Sequence, residues 1–140
     1  MTPDYYTLFN NELDIIHTIE YQPDKTCQDF LNDLLNHMSI HPHSITIDDE
    51  CHHIIGRLAV WCKKKYSIDA EHSSILFKNK NSDYGNAFEL CSKVGIIVRL
   101  IDKLKRILHL EMSGNTIHYE SIKDNYIDMF NYTILYRILQ

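Results

Sequence analysis

Apolar residues recur at steps of three and four along nearly the whole chain, and almost nothing interrupts them. Only four Gly and three Pro fall among 140 residues, which leaves room for long helices and little for many short strands. Tyr5, Leu8, Phe9, Leu13, Ile16 and Ile19 share one face of a first helix over residues 4–20. Gln22-Pro23-Asp24 breaks it, and Thr26 can cap the next helix, whose apolar side carries Cys27, Phe30, Leu31, Leu34, Leu35 and Met38. Residues 39–47 read as a loop. A third helix is expected over 49–65, with Ile54, Ile55, Leu58, Ala59 and Trp61 inward and Lys63, Lys64 and Lys65 in a last turn whose dipole suits cations. A short fourth helix over 69–79 leads into a polar loop over 78–85. The longest periodic run, 86–111, places Phe88, Cys91, Val94, Val98, Ile101, Leu104 and Leu108 on one face, with Gly95 as a point of bending or interruption. Ser121 starts a final helix, with Asp124 at the capping-box position and Ile122, Tyr126, Met129, Phe130, Thr133 and Ile134 as its packing face. The expected fold is all-α, a single domain over 1–140 built as a bundle of five or six helices.

Charge narrows the partners. A net charge of −5 argues against general coating of DNA or RNA, which needs a basic surface to displace counterions. A small phosphorylated ligand is still compatible, because a local basic cluster or a bound metal can receive it. Cys27, Cys51, Cys62 and Cys91 show no CxxC spacing, and a chain of this length needs no disulfides, so reduced thiols in the cytoplasm are expected. The N-terminus has early acids and no apolar run, unlike a signal peptide, and no uncharged apolar stretch reaches membrane-spanning length.

Four constellations can carry chemistry. Lys80-Asn81-Ser82-Asp83-Tyr84-Gly85 gathers a cation, a carboxylate and a phenol ahead of an apolar helix, where free backbone N–H groups favour anions; the same tract also reads as a solvated loop with a helix cap. Arg99, Asp102 and Arg106 share a helix face, with Lys103 beside them. Two arginines around an acid can grip a phosphate, or form an ordinary surface ladder of ion pairs. Glu120, Asp124 and Asp128 stand at steps of four, so they repel one another on one face unless a cation such as Mg²⁺ lies among them; Glu120 and Asp124 also simply suit a helix N-terminus. His41, His43, Cys51, His52 and His53 cluster in sequence, but three adjacent residues on a helix point in different directions, so exposed or capping histidines are the expected reading rather than zinc. No P-loop, G-x-G-x-x-G or G-x-S-x-G occurs.

Taken in order, KNSDYGNAF (80–88), RLIDKLKR (99–106) and ESIKDNYIDMFNY (120–132) resemble the nucleotide modification associated domain of phages and bacteria, over about residues 76–139. That family is similar in turn to the all-α nucleoside triphosphate pyrophosphatases of the MazG and dimeric dUTPase group. The resemblance implies a MazG-like helical core in the C-terminal half, a nucleotide held near Mg²⁺, and a homo-oligomer. The pyrophosphatases use an ExxE on one helix and an ExxD on a later one. Here Glu89 falls at the first element without an ExxE partner, and Glu120, Asp124 and Asp128 match the second at steps of four. Residues 1–75 carry no recognisable pattern; they complete the bundle, cover a pocket or offer an interaction surface.

Three functions follow as expectations. The first is a Mg²⁺-dependent pyrophosphohydrolase for a deoxynucleoside triphosphate. Glu120, Asp124 and Asp128 would hold the metal, with Asp83, Glu89 and Asp124 in catalytic roles. Lys80, Asn81, Arg99, Lys103, Arg106 and Asn131 would bind the ligand, with Tyr84 stacking on the base. The second is a protein that sequesters a nucleotide or nucleotide-derived signal without turning it over, as a phage would use against a host defence. The third is a phage–host interaction module, for which exposed apolar surface on the first three helices would speak.

Overall fold

The structure is a computed structural model that describes residues 4–40, 49–84, 93–113 and 119–139, with side chains except at 39–40, 81–84 and 119–121. Six helices run in the order α1 (Tyr5–Ile16), α2 (Cys27–Ile40), α3 (Asp49–Tyr66), α4 (Ala70–Tyr84), α5 (Lys93–Met112) and α6 (Tyr119–Ile138), with no strand among the described residues. None of these helices is long and apolar enough to cross a membrane.

The helix ends follow local chemistry. Asp4 caps α1, its carboxylate accepting from the Thr7 N–H at 3.1 Å and the Thr7 hydroxyl at 2.7 Å. Helix α1 stops at Ile16, earlier than its periodicity suggests, and residues 17–19 continue as turns closed by Thr18 N–H to Ile15 O and Ile19 N–H to Ile16 O. Thr26 and Asp29 cap α2 reciprocally: the Asp29 N–H donates to Thr26 Oγ1 at 3.1 Å and the Thr26 N–H to Asp29 Oδ2 at 2.9 Å. Helix α3 ends on Ser67, which takes the left-handed region at φ +48°, while the Ile68 N–H reaches back to the Lys63 carbonyl at 3.0 Å. Asp69 then starts α4, accepting from the Glu71 N–H at 3.0 Å.

Two boundaries differ from expectation. The tract 78–85 is not a loop, since α4 continues through Tyr84. Its residues are polar, but no Gly or Pro precedes Gly85, and Phe77 is stacked on Phe9 at 4.6 Å, so the buried side of α4 carries the helix onward. Helix α6 begins at Tyr119, which puts Ser121 inside its first turn rather than at the cap. Gly95 does not break α5; it lies in the helix's first turn.

Helix α6 is the centre of the bundle, packed by α3, α5 and α1, while α2 bridges α5 and α3 and α4 lies mainly on α1. Tyr126, Met129, Phe130, Thr133 and Ile134 of α6 are fully enclosed. Trp61 of α3 stands 5.2 Å from the Tyr126 ring and 5.3 Å from Phe30 of α2, so three helices meet on one indole. The buried residues of all six helices form one cluster. On α5 the buried stripe is Ile96, Ile97, Leu100, Leu104 and Ile107, rotated from the expected one, and Val98 is left 52% exposed. The large exposed apolar side chains among the described residues are Tyr6, Ile15, Tyr21, Leu35, Ile75, Val98 and Met112, spread over several elements.

A buried ion pair ties the two ends of the chain together. Arg137 of α6 pairs through Nε with Glu12 of α1, and its Nη1 donates to the His52 carbonyl of α3 at 2.7 Å; the two charged side chains are 5% and 9% exposed. Gly56 makes room for the guanidinium, because a Cβ there would stand 2.5 Å from Arg137 Nη1.

Candidate functional site

Helices α5 and α6 run back along each other, so contacts that advance along one retreat along the other. Arg99, Lys103 and Arg106 stand at steps of four and three on α5 and share a face. Opposite them, α6 presents Asn125, Asp128 and Tyr132 at steps of three and four. Lys103 is the junction: its ammonium donates to Asn125 Oδ1 at 3.2 Å and to Asp128 Oδ2 at 3.3 Å. The Lys103 side chain is only 17% exposed while Asp128 is 38% exposed, so the lysine stem lies between the helices and the carboxylate reaches their rim. One turn away, the Arg99 guanidinium lies 5.9 Å from the Tyr132 ring centroid, a cation–π contact. Arg106 reaches Asp102 at 3.5 Å in an exposed i,i+4 pair that adds little stability and leaves both groups in solvent.

The other expected site residues fall as follows. Asp124 is exposed on α6, one turn before Asp128. Asn131 is half-buried, and its Oδ1 is enclosed with no hydrogen-bond partner among the described residues. Lys80 is exposed on α4. Asn81, Asp83 and Tyr84 belong to the last turn of α4, with side chains outside the described residues; a helix C-terminus exposes carbonyls, so the expected cradle of N–H groups does not arise there. Glu89 and the Glu120 side chain also lie outside the described residues.

Of the expected metal ligands, Asp128 is held by Lys103, and among the described residues no three His, Cys, Asp or Glu side chains gather as a metal group. Of the histidine–cysteine run, the described members Cys51, His52 and His53 form no metal group among the described residues. Cys51 is buried and accepts from the Tyr136 hydroxyl at 3.1 Å, His52 is half-buried, His53 is exposed, and His41 and His43 lie outside the described residues. Burial pushes the Cys27 thiol up to about 12 and Cys62 well above its usual value, which disfavours the thiolate form of both.

Asn125 and Tyr132 were not among the expected site residues. Both lie within one turn of Asp128 on the same side of α6, which is the signal that points to them. The hollow lined by residues 20–25, of about 410 Å³, belongs to the α1–α2 connection, whereas the polar seam belongs to α5 and α6.

No curated protein and no solved structure matches the chain. Residues 80–139 match the model of the family described as nucleotide modification associated domain 1. That span contains all of α5 and α6, the two helices that build the polar seam.

Proposed function

We propose that the α5–α6 seam binds the phosphate groups of a nucleotide. The observation that carries this reading is the alignment of Arg99, Lys103 and Arg106 on one face, with Lys103 held in place by Asn125 and Asp128. A positioned ammonium flanked by two guanidinium groups suits an oxyanion with several oxygens. The chain's acidic balance does not oppose this, because three cations, Arg99, Lys103 and Arg106, share this helix face. The family's description supports a nucleotide over other phosphorylated compounds. Tyr132, already engaged by Arg99, supplies an aromatic edge beside the phosphates.

A second reading is Mg²⁺-dependent pyrophosphohydrolysis, favoured by Asp124 and Asp128 standing one turn apart on α6, with Asp128 at the seam. Calorimetry against a panel of nucleotides, with product analysis by anion exchange, separates the two. Binding with the ligand recovered intact supports sequestration. Release of monophosphate and pyrophosphate supports the enzyme. Replacing Arg99 and Arg106 together by Ala should weaken binding by about ten- to a hundredfold, the cost of losing charge-assisted hydrogen bonds. A panel without a single binder overturns the proposal.

A further inference from the structure

We propose that the cation serving this seam is the protein's own: the Lys103 ammonium takes the place a divalent ion would need, so ligand binding here requires no metal. The inference rests on the reading of the seam as a phosphate site. Its starting observation is independent of any ligand. Lys103 Nζ lies 3.2 Å from Asn125 Oδ1 and 3.3 Å from Asp128 Oδ2, between the two side-chain oxygens that α6 turns toward α5.

A magnesium ion binds carboxylate oxygens at about 2.1 Å and demands near-octahedral space. It could reach Asp128 Oδ2 from this side only by displacing Lys103. The lysine is poorly placed to leave, since its side chain is 17% exposed and its stem is packed in the helix interface. The carboxylate one turn earlier, Asp124, is exposed and belongs to no group of three described His, Cys, Asp or Glu side chains. The polar groups at the seam therefore suit a fixed single positive charge better than a hydrated divalent one.

The same geometry gives Lys103 a binding role. An ammonium has three N–H bonds, and among the described residues two of them have acceptors. Asn125 and Asp128 orient the group, and the remaining N–H is available to a phosphate oxygen at the rim between Arg99 and Arg106. Asp128 acts here as a positioning residue for Lys103 rather than as a metal ligand.

The test uses Mn²⁺ as the probe, in the full chain and without nucleotide, so it can fail while nucleotide binding stands and the reverse. Electron paramagnetic resonance counts free Mn²⁺ against wild type, Lys103→Met and Lys103→Met/Asp128→Asn, with near-ultraviolet circular dichroism confirming the fold. Wild type should leave Mn²⁺ free. Lys103→Met, which keeps the stem and removes the charge, should bind at least about tenfold more tightly, since it frees the Asp128 carboxylate for a hard cation. The double variant should lose that gain. For whichever nucleotide the panel identifies, affinity in EDTA should equal that in excess Mg²⁺. Tight Mn²⁺ binding by wild type that Asp128→Asn abolishes, no gain in Lys103→Met, or nucleotide binding lost in EDTA would each overturn the proposal.

Discussion

Replacing Glu12 with Ala removes the counter-ion from a guanidinium that is 5% exposed. Arg137 would keep its 2.7 Å bond to the His52 carbonyl, but no described carboxylate would replace the one lost. Removing one partner of a buried pair costs about 3–5 kcal/mol, because the remaining charge stays desolvated. Against a total stability on the order of 10 kcal/mol, that is a large loss. Urea denaturation followed through Trp61, the only tryptophan and a buried one, reads it directly. With a slope of about 2 kcal/mol/M, the midpoint should fall by about 2 M while the slope stays unchanged. The double variant Glu12→Leu/Arg137→Met should be far more stable than the two single losses predict, with a coupling on the order of 3 kcal/mol. A single-variant loss under about 1 kcal/mol, or strict additivity, would refute the reasoning that this pair is buried and mutually dependent.

Three further outcomes follow from the same packing. Gly56→Ala puts a Cβ 2.5 Å from Arg137 Nη1 and 2.8 Å from Ile19 Cδ1. Overpacking of about 1–3 kcal/mol should outweigh the roughly 1 kcal/mol gained in helix propensity, and the loss seen in urea titration should shrink in an Arg137→Met background. Ser67→Gly relieves a left-handed residue at the end of α3 and should raise stability by about 0.5–1 kcal/mol in thermal unfolding; a loss would mean the helix does not end in this motif. Burial, with Arg137 as the next cause, holds the His52 imidazole below its ordinary value. The unfolded chain then takes up this proton more readily than the folded one. The stability tied to neutral His52 should be complete above the ordinary imidazole range near 6.5 and be lost as pH falls through the lower folded value. His52→Gln should flatten that part of the stability–pH curve, and an unchanged curve would contradict the shift.

The helix content was legible wherever one apolar stripe stood alone. The core faces of α3 and α6 were visible as Ile54, Ile55, Leu58, Ala59 and Trp61 and as Tyr126, Met129, Phe130 and Ile134, and all are buried. Helix α5 was harder, because Val94, Ile96, Ile97, Val98, Leu100, Ile101, Leu104, Ile107 and Leu108 wrap much of its circumference. Periodicity cannot choose between adjacent stripes in such a helix; the positions of α2 and α6 make the choice. Polar composition hides the end of α4, although the tract 78–84 holds no residue that stops a helix before Gly85.

The candidate site divides the same way. Arg99 and Arg106 lie two turns apart on one helix, so their common face is readable from spacing, whereas spacing puts Asp102 on that face and Lys103 only beside it. The bonds from Lys103 to Asn125 and Asp128 join residues 22 and 25 positions apart and depend on α5 and α6 folding back on each other. Steps of four between Asp124 and Asp128 suggested a metal, but spacing along one helix cannot show that a lysine from its neighbour reaches the carboxylate. The Glu12–Arg137 pair, 125 residues apart, left no sequence signal beyond a glycine inside α3.

Titrating nucleotides into isotopically labelled protein, and following backbone amide shifts by nuclear magnetic resonance, tests the central claim most directly. The account predicts that the largest shifts fall on α5 around Arg99, Lys103 and Arg106 and on α6 around Asn125, Asp128 and Tyr132, with Lys103→Met reducing them. Shifts centred on α1–α4, or no shifts with any nucleotide, would contradict it.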